Sequence, residues 1–367
     1  MIRKENKISN TQLFFIIIQV QIGVGILSLP HDVSLVSKND GWISTLLAGA
    51  MVQVIILILW GLSKKFPSLT IYEMISRVIG KRFGKIIIFC YVIYFIVTGS
   101  LVLSRFIQVI DTWILQRTPS WILIFLTLGV CMYLVKDTLR SIARFYVLVT
   151  PLLIILFGLV TYALKDANFL YIFPIGQSGI PNIVKGSKEA IFSMLGFEFM
   201  LFLYPYVNAT DGRKLMAIST ANLFVTLFYT YMVFASLVFF ETRQDLYLTP
   251  QPLLYMIKSY SFQIVERIDL FFLSIWIISV VTSIASWIFL ASNGLKYCFA
   301  RANHAASLFY TAGIIFIIAL IPKNETDLEK FNKILEPAHL GFIVVIPLLL
   351  FSISVLFAKK RDGEHNV

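Results

Sequence analysis

Hydrophobic and polar positions are sorted into long blocks along this chain. Ten stretches almost completely avoid Asp, Glu, Lys and Arg, running approximately over residues 9–30, 42–63, 86–111, 118–135, 145–164, 190–210, 215–240, 270–295, 305–322 and 338–358. Each approaches the roughly 20 apolar residues that a helix needs to cross a bilayer. Lipid cannot satisfy backbone N–H and C=O groups, so a spanning segment is either a helix or a strand of a closed barrel. The runs are continuously apolar without period-two alternation, which selects helices. The pattern predicts an all-α integral membrane protein with ten transmembrane helices and no room for a separate soluble catalytic domain.

The connectors are short, with three exceptions. Residues 165–189 contain Pro174, Gly176, Gly179 and Pro181 and read as an irregular loop. In 241–269, Pro250 and Pro252 precede LLYMIKSYSF, which reads as a short interfacial helix. The segment KNETDLEKFNKILE at 323–336 reads as a solvated helix or loop. Arg3, Lys4 and Lys7 ahead of an apolar run imitate a signal peptide, but Gly23, Gly25 and Pro30 interrupt that run and no small-residue cleavage site follows. The run is therefore counted as the first span.

Composition agrees with this reading. Of 367 residues 58% are hydrophobic and 14% charged, where soluble domains average about 45–50% and about 25%. The net charge of +11 is scattered between apolar runs, so nucleic acid is not the expected partner. With the N-terminus placed inside, 19 of the 31 Lys and Arg fall on its side, 11 fall opposite, and Arg105 lies within a span. That bias places both termini in the cytoplasm. The 64–85 connector holds Lys64, Lys65, Arg77, Lys81, Arg82 and Lys85, a juxtamembrane cluster able to touch anionic lipid. Cys90, Cys131 and Cys298 show no CxxC spacing, which argues against a disulfide framework or a thiolate metal site.

Two spans carry breaks in corresponding positions. The first contains Gly23-Val24-Gly25-Ile26-Leu27-Ser28-Leu29-Pro30, and the sixth contains Ser193-Met194-Leu195-Gly196-Phe197-Glu198. Glycines and a proline predict local interruption of a helix. Divided five and five, the ten spans form one polytopic domain over 1–367, with a first repeat at about 9–164 and an inverted second repeat at about 186–358. Interrupted segments in matching positions of two halves point to a ligand site at the bilayer midplane. Free N–H groups at a half-helix start attract a carboxylate, and freed carbonyls at a half-helix end attract an ammonium. An amino-acid zwitterion suits such a pair.

GVGILSLP resembles the GxGIxxxP signature of the first helix of amino acid–polyamine–organocation permeases, and LGFE resembles their sixth-helix GxE signature. Within that superfamily the chain is most similar to the spore germination protein family, the multi-spanning B subunits of nutrient germinant receptors. Supporting segments are Asp40-Gly41-Trp42-Ile43, Arg117-Thr118-Pro119, Gly196-Phe197-Glu198 with Met200-Leu201-Phe202-Leu203, Glu266-Arg267 and Asn293-Gly294-Leu295-Lys296. The resemblance implies a permease-like fold, residence in the inner membrane of a spore, a nutrient ligand, and partnership with a membrane A subunit and a lipoprotein C subunit. An ordinary amino-acid permease using the same site is the alternative.

Arg105 and Glu198 are the charges deepest within spans and are functional candidates on that ground. They are expected to form an intramembrane pair or gate, unless Arg105 pairs with Asp111. Polar stripes run along the third span, through Tyr91, Tyr94, Thr98, Arg105 and Gln108, and along the eighth, through Ser279, Thr282, Ser283, Ser286 and Asn293. In the resembled superfamily, helices one, three, six and eight surround the substrate. The expected ligand set is therefore Gly23, Gly25, Ile26, Tyr94, Thr98, Leu195, Gly196, Glu198, Thr282 and Ser286. The fifth span lacks the lysine that some proton-coupled permeases carry, and Thr282 with Ser283 resembles part of a sodium site, so ion coupling stays open. His31, His304, His339 and His365 show no metal spacing, and no phosphate-binding or nucleophile-elbow motif occurs. The expectation is a non-enzyme without metal or cofactor.

Overall fold

The protein is described by a computed structural model over residues 7–241, 243–260, 267–299 and 303–364. Arg3, Lys4, Glu266, Arg301 and His365, which the sequence reading uses, lie outside the described residues. The first apolar run forms α1 (Asn10–Gln21) and α2 (Gly25–Ser37). Ser9 and Gln12 start α1 with a reciprocal capping box, Ser9 N–H donating to Gln12 Oε1 at 2.9 Å and Gln12 N–H to Ser9 Oγ at 3.1 Å. The interruption falls at residues 22–24, as the glycines predict, while Pro30 sits inside α2 and does not end it.

The next segments are α3 (Gly41–Lys65), α4 (Ile71–Ile79), α5 (Lys81–Trp113) and α6 (Ser120–Val135). The expected 64–85 connector is thus partly helical. Glu73 closes a capping box on Thr70, and Ile71, Tyr72, Met74 and Ile75 turn the apolar face of α4 inward. The fifth run is divided at Thr150-Pro151 into α7 (Leu139–Val149) and α8 (Leu152–Ala163) and begins six residues earlier than hydropathy indicates. The sixth comprises α9 (Gly179–Ser193), a turn through Met194–Gly196, a 3-10 turn at Phe197–Phe199 and α10 (Met200–Leu203). Residues 179–189, expected in an irregular loop, therefore belong to α9.

The remaining helices are α11 (Asp211–Phe239), α12 (Arg243–Tyr247), α13 (Pro252–Lys258), α14 (Ile268–Cys298), α15 (His304–Ala319), α16 (Glu325–Leu340) and α17 (Ile346–Glu364). A π-helical stretch at Gly341–Val345 joins α16 to α17. Most of the charged segment at 323–336 is therefore the first part of the last candidate spanning unit, Glu325–Leu356. Leu328 and Leu335 of α16 are buried with Leu101 of α5, and Phe331 and Ala338 pack beside them. The 328/331/335/338 spacing gives α16 one apolar face, while its charged residues occupy the rest.

Six helical segments among the described residues are long and apolar enough to cross a membrane, and Ser120–Val135 and His304–Ala319 are shorter apolar helices. The interrupted first and sixth runs lie in the centre of the assembly. There α1 packs on α11, α2 on α9, α3 on α9 and α11, and α14 along α5. A parallel bridge between Ile8 and Val207 ties the entry of α1 to the end of the sixth run, with Ile8 N–H donating to Tyr206 O and Asn208 N–H to Ile8 O, both at 3.0 Å.

Candidate functional site

The two interruptions touch each other. Gly196 has φ +123°, a conformation that side chains rarely adopt, and a Cβ there would lie 2.7 Å from Val20 Cγ1 and 2.8 Å from the Val20 carbonyl oxygen. On the opposite side of the contact, a Cβ at Gly25 would lie 2.8 Å from Ser193 Cβ and 3.0 Å from Ser193 Cα. Gln21 bridges the pair, its Nε2 donating to the Met194 carbonyl at 3.0 Å.

Several carbonyls freed at the first break are engaged by the protein itself. Val20 O accepts from Ser283 Oγ at 3.2 Å, Gln21 O from Tyr229 OH at 3.0 Å, and Gly23 O from Trp276 Nε1 at 3.3 Å. At the second break Gly196 N–H donates to Glu198 Oε2 at 2.8 Å. The simple expectation of bare carbonyls awaiting an ammonium is therefore not met at these positions. The start of α2 differs: it has no side-chain cap, and Gly23, Val24 and Gly25 border a cavity of about 90 Å³.

Five of the sequence candidates line that cavity: Gly23, Gly25, Thr98, Leu195 and Arg105. Ile26, Tyr94, Gly196, Glu198, Thr282 and Ser286 do not, and each has another role in the structure. Ile26 is fully buried in the core. Tyr94 shares a hydrogen bond of 2.9 Å with His339 Nδ1 and stacks on Phe342. Thr282 Oγ1 donates to Gln19 Oε1 at 2.8 Å, and Ser286 is paired with Tyr146 OH at 2.7 Å. Gln19 also donates to Thr150 Oγ1 at 3.2 Å, at the division between α7 and α8. Gly196 and Glu198 shape the second break from behind the cavity wall.

Arg105 and Glu198 are not brought together. No ion pair joins them within 4.0 Å among the described residues, and none joins Arg105 to Asp111. Arg105 Nε and Glu198 Oε1 both lack partners. Arg105 instead faces the cavity with Asp32 of α2 and Glu189 of α9. Asp32 is held by His31 at 3.1 Å. Sequence reasoning also missed Gln21, Asn332 and His339, which line the cavity. Gln21 adjoins the glycine motif, a signal that was available. Asn332 and His339 lie seven apart on α16, so their common face follows once that segment is recognised as a helix packed against α5.

Two helices interrupted at one level, with a cavity between them and apolar rods around them, define a multi-pass membrane protein of the interrupted-helix transporter fold. A substrate-bound, outward-open Na+-coupled sialic acid symporter shares this fold with a TM-score of 0.66, over 95% of this chain and 79% of that chain, at 11% sequence identity. The family model described as Spore germination protein matches residues 7–328, and the chain belongs to that family. Spore germination protein GerQB of Bacillus cereus is 32% identical over 351 residues, covering 94% of this chain and 95% of that protein. Spore germination protein YndE of Bacillus subtilis (strain 168) is 28% identical across 99% of this chain and 100% of its own length.

Proposed function

We propose that this protein is the ligand-sensing membrane subunit of a spore nutrient germinant receptor, binding a small nutrient, an amino acid, between its interrupted first and sixth helical runs. In this reading it resides in the inner spore membrane with both termini cytoplasmic and acts with a membrane A subunit and a lipoprotein C subunit. The observation that carries the reading is that one cavity is walled by both interruptions, through Gly25 of α2 and Leu195 of the second break. Family membership supports the role in germination.

The response follows from population shift. A ligand touching both breaks favours whichever arrangement of the two runs it contacts better, and that difference in affinity is all it can contribute to a conformational signal. Reconstitution into liposomes tests the assignment against a permease with the same site. A receptor binds labelled amino acid without net accumulation or counterflow, whereas accumulation against a gradient would make the protein a transporter.

A further inference from the structure

Where α3 ends and α5 begins, basic side chains from three helices meet. Lys65 of α3, Arg77 of α4 and Lys81 and Lys85 of α5 line one open pocket of about 660 Å³. Close backbone packing fixes the wall that carries three of them. A Cβ at Gly84 would lie 3.0 Å from Ser76 Cα and 3.4 Å from the Ile75 carbonyl oxygen, so α4 and α5 meet backbone to backbone. Arg77 follows Ser76 and Lys85 follows Gly84, and this contact sets their two chains side by side at the pocket.

The pocket wall is unbalanced in charge. No carboxylate among the described residues lies within 4.0 Å of any of the four cations. Glu73, also in the wall, has its Oε2 committed to Thr70 N–H at 2.7 Å and Thr70 Oγ1 at 2.9 Å. Lys65 lies over the Phe351 ring at 5.1 Å, a contact that holds the side chain but leaves its full charge in place. Like charges gathered this way repel one another, so an anion among them relieves the repulsion. The start of α5 adds to the field: it has no side-chain cap, and its first residue, Lys81, is in the wall.

The surroundings select the kind of anion. Phe66, Leu69 and Tyr297 complete the wall, which makes the pocket apolar as well as basic. From the same end of α5, Phe83, Ile86, Phe89 and Ile93 are 44–71% exposed and form one stripe at steps of three and four. Phe89 follows Lys85 by one helical turn, so the stripe runs beside the pocket. Lys81–Trp113 is long and apolar enough to cross a membrane, which places the stripe against acyl chains. From Phe83 to Ile93 it covers about 15 Å along the helix, the depth of one leaflet in a hydrocarbon core about 30 Å thick. A soluble anion would use the cations alone, whereas a phospholipid uses the cations and the stripe together.

We infer that this pocket holds the headgroup of one anionic phospholipid, with its phosphate between Arg77, Lys81 and Lys85 and its acyl chains along the α5 stripe. The site is separate from the cavity between the two interruptions and shares no lining residue with it. It differs from the general attraction of a basic connector to an anionic leaflet in being confined to these side chains, so equal charge removed elsewhere leaves it intact.

Full-length protein is incubated with vesicles of equal phosphatidylglycerol and phosphatidylcholine and extracted in detergent, and the lipid retained per protein molecule is counted by mass spectrometry. Phosphatidylglycerol should be retained over phosphatidylcholine by about fivefold or more, and R77Q/K81Q/K85Q should lower its retention about fivefold or more. K136Q/R144Q/R213Q removes equal charge from exposed residues outside the pocket and should leave retention intact. Equal retention of the two lipids by wild type, equal losses in both triple variants, or no loss in the first overturns the site. Millimolar inorganic phosphate at constant ionic strength should leave the lipid in place. Its displacement would identify a soluble-phosphate site and overturn the lipid assignment. Should the first triple variant fail to insert, Lys81→Gln and Lys85→Gln are compared singly with Lys136→Gln. Each of the first two should lower retention about twofold and the third should not; equal effects of all three overturn the site.

Discussion

Gly25 faces Ser193 across the meeting of the two helix interruptions, so closely that a methyl group at Gly25 would lie 2.8 Å from the Ser193 Cβ. Real Cβ atoms do not approach this near, so Gly25→Ala forces α2 and α9 apart. Inserting a methyl into packed structure costs about 1–3 kcal/mol, and the displacement should also weaken ligand binding. Ser193→Gly combined with Gly25→Ala should recover part of both losses. Melting temperature and amino-acid binding, measured through this double-mutant cycle, check the relationship.

Gly196 combines a backbone constraint with a packing constraint. Gly176 provides a comparison because its φ is +81° but nothing lies within 4 Å of an added Cβ, whereas Gly196 at +123° is packed against Val20. Gly176→Ala should lower stability by about 1 kcal/mol through backbone strain. Gly196→Ala should cost at least about 2 kcal/mol, read as a larger drop in melting temperature.

Tyr94 and His339 join α5 to α16 through one hydrogen bond of 2.9 Å. Tyr94→Phe keeps the ring packing on Phe342 and leaves His339 Nδ1 without its phenol partner. Stability should fall by about 1–3 kcal/mol. Because Tyr94 does not line the cavity, the affinity of the remaining folded protein should change much less than its melting temperature.

Arg105 and Glu198 should behave as independent sites. Their lack of contact predicts that the stability effects of Arg105→Gln and Glu198→Gln add within about 0.5 kcal/mol in the double variant. A coupling larger than about 1 kcal/mol would restore the intramembrane pair expected from hydropathy alone. Arg105→Gln should affect ligand binding directly, since Arg105 faces the cavity and Glu198 instead holds Gly196 N–H at 2.8 Å.

Much of the architecture was legible because hydropathy and glycine placement are local properties. A long apolar run must satisfy its backbone internally, so the membrane-spanning class follows from residues near one another in the chain. Gly23, Gly25 and Gly196 likewise mark the interruptions without knowledge of the fold. What each polar side chain meets depends on rotation about a helix axis and on segments far away in sequence. Tertiary packing therefore turned Thr98 and Arg105 toward the cavity, paired Tyr94 with His339 across 245 positions, and engaged Ser286 with Tyr146. It also made the charged run at 323–336, expected as a solvated helix or loop, part of a cavity wall through Asn332, because the apolar face carrying Leu328 and Leu335 found Leu101 of α5. The breaks were determined locally; their partners were decided by the fold.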